Sequence, residues 1–387
     1  MKALEFDREE AKYAAAAISS RFRPGSGART GPLTLVETDP PDLPGEGWHR
    51  VSTILTGICG SDLATVDGRS ARYFEPWISF PFILGHEVVG RLDDGTRVVL
   101  EPVLGHEARG FEPPFEGAAP GDGHDYRHLV GGVLEPGIQT GTCASTGGAW
   151  AAEFVAHESQ LHRIDDSLTD EAAVMVEPAA GGVHAAFKAK VSAGDTVAVM
   201  GSGTMGLVTV AALRRFTDVG TIIASAKYPE QVENARRLGA DIVVAPSELA
   251  RAVRRSSGSF MIGDDLSGGA DVVIDAVGSA DSIDSSIGMA RPRGRVVLLG
   301  MPGRVSIDMT ALWHRETELI GAYTYGTETL PDGSNVHSFE LAIELVEAAD
   351  LGSLVSATYP LDAYRDAIEH AANAGRRGAI KVCFDLR

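Results

Sequence analysis

Two glycine-bracketed turns carry side chains able to hold a metal ion: Cys59 in Gly57-Ile58-Cys59-Gly60-Ser61-Asp62, and His86 with Glu87 in Leu84-Gly85-His86-Glu87. Thiolate sulfur, neutral imidazole and carboxylate oxygen are the donors zinc takes, and a catalytic zinc keeps one position open for water or substrate. A third, oxygen donor is available from Glu87 or from Glu177, in Val176-Glu177-Pro178. Alone, a cysteine is more often a buried apolar residue and a histidine a satisfied loop residue. The two turns together are the more specific signal.

A second group of residues is suited to an anionic ligand. Gly201-Ser202-Gly203-Thr204-Met205-Gly206 follows directly on the apolar run TVAVM and opens a segment with helical apolar spacing. With 45 glycines in the chain the bare pattern is weak, but strand, glycines, helix and second strand stand in the order a dinucleotide site needs. Gly201 permits the tight turn, Gly203 lets backbone approach a pyrophosphate, and Gly206 lets helix pack on strand, with the helix N-terminus aimed at the anion. The end of the second strand, where an NAD site places its acidic residue, falls at Ala226 within Ser225-Ala226-Lys227-Tyr228, and none of these is acidic. A carboxylate would repel a ribose 2′-phosphate, whereas Lys227 and the Ser225 hydroxyl would attract one. NADP(H) is therefore expected over NAD(H); if Lys227 is only a solvated surface residue, either form is open.

The elements that must position these residues change character along the chain. Up to about residue 180, short β-type runs such as VSTILTGI and TRVVLEPV alternate with turn residues, apart from a helix expected within Arg8 to Arg23. From about Ala179, apolar runs (TVAVMG, TIIASA, DIVVA, DVVIDAVG, RVVLLG) alternate with helical segments, the pattern of a parallel sheet covered on both faces. The closing GAIKVCFDL reads as a strand returning to the first domain. At 387 residues the chain is long enough for two domains, each with its own core. Acidic residues outnumber basic ones by 53 to 34, and the net charge of −19 repels phosphate backbones and anionic membrane surfaces, so neither nucleic acid nor membrane is an expected partner. Three widely spaced cysteines, Cys59, Cys143 and Cys383, argue against a disulfide framework and for a reducing, cytoplasmic setting. The apolar run Ala14 to Ile18 is too short for a signal peptide.

Taken in order, GICGSD, LGHE, GGAWAAEFVAHESQLHRI, VEPAAGGVHAA, GSGTMG, DVVIDAVG, RVVLLGMPG and AIKV resemble the zinc-containing medium-chain dehydrogenase/reductases, including alcohol, sorbitol, threonine and archaeal glucose dehydrogenases. The resemblance spans nearly the whole chain. It implies an α/β plus β fold: a GroES-like β-barrel catalytic domain from residues 1–180 and 327–387, and an inserted doubly wound Rossmann domain at 181–326, with the active site between them. By motif position, Cys59 and His86 match zinc ligands, and Glu177 matches the acidic third ligand of the polyol-type branches. Glu87 is the ligand in some of those branches, so both acids are kept. Asp62 matches the carboxylate that orients the ligand histidine, and Ser61 the hydroxyl that contacts the substrate oxygen. Beside Gly201 to Gly206 and Ser225 to Tyr228, the resemblance assigns Ala276, Val277, Leu299, Gly300, Met301 and Lys381 to the cofactor.

Two departures from the family pattern matter. Where many relatives hold a structural zinc with four cysteines, this chain has Phe115, Ala118, Gly121 and Tyr126, so one catalytic zinc and no structural zinc is expected, with apolar packing in the metal's place. His106, His124 and His128 lie in the same stretch and more resemble solvent-exposed loop residues than ligands. Where many relatives place a proton-relay histidine, this chain has Ala64, so the relay must end differently. The implied reaction is hydride transfer between NAD(P)(H) and an alcohol or carbonyl, with zinc polarising the substrate oxygen. The acid ligand leans toward polyol, sugar or amino-alcohol substrates, and the aromatic stretch Tyr73 to Phe80 toward a bulkier alcohol, unless its rings are simply core. A zinc-free reductase using NADPH on activated double bonds or quinones is the alternative; Cys59, His86 and an acid argue against it, and nothing favours a non-catalytic nucleotide-binding protein. The expected assembly is a homo-dimer or homo-tetramer.

Overall fold

The computed structural model describes all 387 residues, Met1–Arg387. The chain divides into two compact units, one of Met1–Glu177 with Gly333–Arg387 and the other of Pro178–Asp332, where breaks after 180 and 326 were expected. No helix is long and apolar enough to cross a membrane.

The first unit is built around the strand Trp48–Gly57, in which Val51, Thr53 and Leu55 are buried and alternate with the more open Ser52 and Ile54. It pairs antiparallel with Val88–Leu92, with Glu153–His157 and with Lys381–Asp385, so the last strand returns to this sheet with Cys383 opposite Gly57. Arg97–Leu100, Leu161–Arg163 and Val355–Tyr359 complete seven strands. A smaller antiparallel sheet joins Leu33–Glu37, Lys2–Phe6 and Phe82–Ile83. Leu4, Phe6, Ile58, Phe82, Trp150 and Phe384 form one core cluster, in which the Trp150 indole N–H donates to the carbonyl of Gly57 at 3.1 Å. The early helix spans Glu10–Ser19.

The second unit carries six parallel strands in the spatial order Ile242–Val244, Thr221–Ser225, Thr196–Met200, Ala270–Asp275, Ala290–Leu298, Glu318–Gly321. The chain runs outward from the third of these, then returns to the fourth, which is the doubly wound arrangement with its ligand crevice at the reversal. Val197, Ala198, Val199 and Ile222 to Ala224 are fully buried, as strands covered on both faces require.

The stretch between residues 103 and 142 departs from expectation. Phe115 and Tyr126 are exposed, so apolar packing at those positions does not hold it. The fully buried side chain of Arg109 does. Its guanidinium donates to the carbonyls of Leu104 (3.2 Å), Gly131 (2.9 Å), Glu135 (3.3 Å from each of two nitrogens) and Gly137 (2.6 Å). A planar fork of five N–H donors suits four carbonyls converging from one loop. His106 and His128 stack beside it with ring centroids 3.9 Å apart.

Candidate active site

Cys59 ends the loop before the short helix Gly60–Val66, and Asp62 in that helix's first turn links the two motif turns. One oxygen of Asp62 accepts the Cys59 backbone N–H at 2.9 Å, and the other lies 3.4 Å from Nδ1 of His86. The opposite ring nitrogen, Nε2, faces the Ser61 hydroxyl at 3.5 Å, and the Cys59 thiol also reaches this imidazole. The His86 turn is fixed by Gly85, whose φ of +95° and closeness to Trp150 leave no room for a side chain; a Cβ would come within 2.3 Å of the indole. Burial works against a charge on His86, but Asp62 and then Cys59 outweigh it and raise the imidazole's pKa well above its ordinary value. The ring is thus oriented by a carboxylate on one nitrogen, turns the other toward the Ser61 hydroxyl and has a thiol within reach, the arrangement of a metal-ligating histidine.

The two acids are placed differently. Glu87 is buried and its carboxylate pairs with the ammonium of Lys381, which also donates to the carbonyl of Ile58 at 3.3 Å. Burial opposes the charge on Lys381, and the Glu87 carboxylate reverses that and raises its pKa. Gly57 permits this pairing, because a Cβ there would lie 2.1 Å from the Glu87 carboxylate. Glu177 stands in the first turn of the helix Val176–Lys188. Nowhere do three histidine, cysteine or carboxylate side chains converge as a metal cluster. The structure brings Cys59, His86, Ser61 and Asp62 together, and it pairs Glu87 with Lys381. A thiol and an oriented imidazole nevertheless fit a borderline-soft cation such as zinc. Ala64 is buried in the same helix. Of the aromatic stretch, none of Arg72–Trp77 is buried, and Tyr73, Trp77 and Tyr126 meet edge to face (4.9 and 5.9 Å), while Phe80 packs on the core beside Phe82.

In the second unit Gly201 adopts φ +93°, and Gly206 sits so close that a Cβ would lie 1.8 Å from the Gly201 carbonyl, while the space around Gly203 is open. The helix Thr204–Phe216 starts there with Gly203 at its cap, followed by Met205. Ser225 is buried and its hydroxyl accepts the Gly201 N–H at 2.9 Å, while Ser202 donates to the Ser225 carbonyl at 2.8 Å. The serine thus ties the glycine turn to the second strand. Ala226 is buried, and Lys227 is exposed with its ammonium 5.7 Å from the centre of the Tyr228 ring.

Sequence reasoning passed over Asp275. This fully buried carboxylate accepts the N–H groups of Val277 (2.8 Å) and Gly278 (3.1 Å) and the Ser282 hydroxyl (2.8 Å), and its backbone carbonyl accepts from Leu299 and Gly300. It fixes both loops, Ala276-Val277 and Leu299-Gly300-Met301, leaving Val277 and Met301 exposed. An acid directly after the apolar run Val272-Val273-Ile274 was the available signal.

Comparison with known proteins agrees with this architecture. The family described as "Alcohol dehydrogenase GroES-like domain" matches residues 45–166, and "Zinc-binding dehydrogenase" matches residues 204–340. Probable D-xylulose reductase A of Arthroderma otae is 32% identical over 313 residues, 78% of this chain and 80% of that protein. Sorbitol dehydrogenase of Bacillus subtilis is 29% identical over 83% of this chain and 85% of its own length. Among solved structures, 2R,3R-butanediol dehydrogenase from Bacillus subtilis superposes with a TM-score of 0.71 at 21% identity, covering 100% of this chain and 99% of that one, a likeness of fold. With both family descriptions matched and a relative 32% identical over 78% of this chain, the chain belongs to the zinc-containing medium-chain dehydrogenase/reductases and is an oxidoreductase of that family.

Proposed function

We propose that the protein is a zinc-dependent dehydrogenase acting on a secondary hydroxyl of a small polyol or sugar alcohol, or on the matching ketone, with NADP(H) preferred. The observation that carries this reading is the His86 imidazole held by Asp62 on one nitrogen, facing Ser61 with the other and lying within reach of the Cys59 thiol. Cys59 and His86 would hold the metal, and Glu177 is the third donor we favour, because the Glu87 carboxylate is committed to Lys381. Zinc, when bound, supplies a Lewis acid that acidifies a hydroxyl. The chain's own residues do the rest. Asp62 fixes the ring, Ser61 takes the substrate proton at Oγ, and the glycine turn holds the dinucleotide pyrophosphate. The polyol class rests on the relatives, named for sorbitol and D-xylulose. Ala226 and Lys227 support NADP(H) through the missing acid and the exposed ammonium. All three cysteines are free thiols, which supports a reducing, cytoplasmic setting.

The test is a screen of alcohols, polyols, sugars and ketones followed through nicotinamide absorbance with each cofactor. Turnover of polyols is expected. Activity confined to quinones or enones, undiminished in metal-free protein, would replace this reading with the zinc-free reductase.

A further inference from the structure

We propose that Asp67, with the excursion of residues 7–32 that it anchors, positions the candidate active site by holding the helix that presents Ser61 and Asp62, a role in hydride transfer that rests on the dehydrogenase reading. The strands Lys2–Phe6 and Leu33–Glu37 pair antiparallel with Phe6 opposite Leu33, a hairpin that about 2–5 residues would connect. Residues 7–32 stand there instead, folded into the helices Glu10–Ser19 and Gly27–Thr30. This excursion lies against the C-terminal end of the helix Gly60–Val66. The fully buried Asp67 carboxylate accepts the Gly25 N–H at 2.9 Å with one oxygen and the Gly27 N–H at 3.1 Å with the other, and the Asp67 carbonyl accepts the Ser20 hydroxyl at 3.0 Å. The approach is backbone to backbone. A Cβ on Gly27 would lie 2.0 Å from the Val66 carbonyl oxygen, and one on Gly68, at φ +67°, 2.6 Å from that of Tyr13. The excursion is moored in turn on the helix Tyr364–Ala372, through Arg23 to Glu369 (2.8 Å) and Arg29 to Asp366 (2.9 Å), while Asn373 donates to the Pro24 carbonyl at 3.1 Å.

A helix of seven residues falls well short of the roughly 12–15 that hold together in isolation, so its place is set by what grips its ends. Its first turn carries the Ser61 hydroxyl and the Asp62 carboxylate that fixes Cys59 and His86. Its other end is tied to Asp67, whose N–H donates to the Leu63 carbonyl at 3.0 Å; the Leu63 N–H donates to the Cys59 carbonyl at 3.1 Å. One hydrogen-bonded ladder thus runs from the anchor to the site. A misplacement of about 1 Å at reacting groups can cost about a hundredfold in rate.

Amide hydrogen exchange of the full chain, metal-free and zinc-loaded, is followed beside zinc competition and steady-state kinetics. Asp67→Asn keeps the side chain's size and one acceptor oxygen but sets an amide NH2 against the other glycine N–H. Exchange at Cys59 and Leu63 is expected to accelerate roughly tenfold and kcat to fall roughly ten- to a hundredfold, with the dinucleotide Kd unchanged. Ser20→Ala removes a single hydrogen bond and should move the same readouts about threefold, which keeps the test decisive if Asp67→Asn does not fold. A merely structural role would lower the melting temperature and loosen residues 25–27 alone. Unchanged exchange at residues 59–63, or unchanged kcat at zinc saturation, therefore overturns the proposal. An unsubstituted chain that turns over no alcohol or ketone refutes the dehydrogenase reading instead, and exchange at Cys59 and Leu63 then decides the positioning role by itself.

Discussion

At the scale of single residues, Asp62 is the hinge of the candidate site, because one carboxylate holds both the Cys59 backbone and the His86 ring. Removing an outer carboxylate that orients a ligand histidine typically costs 10- to 100-fold in metal affinity or activity. Asp62→Ala is expected to lose about that much in both, read by zinc competition and kcat, while Cys59→Ala and His86→Ala abolish turnover with nucleotide affinity retained. Full activity in either ligand variant would refute the metal assignment. At the cofactor, a charge-assisted hydrogen bond is worth about 1.5–3 kcal/mol, so NADP(H) should be preferred by roughly ten- to a hundredfold. Ala226→Asp with Lys227→Ala should reverse the preference in kcat/KM, by adding repulsion and removing the cation. Ser225 is excluded from that design, since its hydroxyl is already engaged by Gly201.

At the scale of elements, the segment 103 to 142 shows what the sequence did and did not make legible. The glycine turn at 201–206 and the apolar runs around it were readable, because local spacing alone encodes a strand, a tight turn and a helix. The pairing of Cys59 with His86 was readable through its motifs. The buried role of Arg109 was not, since its partners are carbonyls of residues 104, 131, 135 and 137, and carbonyls carry no sequence signature. Nor was the Glu87–Lys381 pair, whose members lie almost three hundred positions apart. Arg109→Met leaves the carbonyls of Leu104, Gly131 and Gly137 unsatisfied, and that of Glu135 with only the Cys143 thiol; at about 1–3 kcal/mol each before relaxation, a net loss of roughly 3 kcal/mol or more is expected in denaturant unfolding. Proteolysis should begin within 103–142; an unchanged midpoint would contradict the role.

The same segment should respond to acid. Burial, and after it the neighbouring His106, pushes the His128 imidazole down to about 4, with Arg109 adding to the effect and Asp125 opposing it. A histidine depressed in the folded state is neutral there and takes up its proton on unfolding. Stability is therefore complete above the ordinary value near 6.5 and is lost as pH falls toward 4, by at most about 3 kcal/mol. Denaturant midpoints between pH 7 and 4 check this, and His128→Phe should flatten the slope in that window.

For the whole molecule, one zinc per chain is expected, at the Cys59–His86 pair, because the segment 103–142 has no cysteine at Phe115, Ala118, Gly121 or Tyr126 and its carbonyls converge on the Arg109 guanidinium. Elemental analysis finding two, with the extra ion in 103–142, would overturn that. Chelation should stop turnover while the doubly wound unit still binds nucleotide. The closing strand Lys381–Asp385 has a consequence for biosynthesis. It pairs with Trp48–Gly57 and brings Lys381 to Glu87, so the first unit stays incomplete on the ribosome until residues 381–385 have been made. Residues 178–332 leave the exit tunnel earlier and hold every strand of their own sheet, so they are expected to fold first. Translation stalled before Lys381 would then release a product that captures dinucleotide and never turns it over, a sequestering by-product whose abundance depends on the pace at which the codons between 332 and 381 are read.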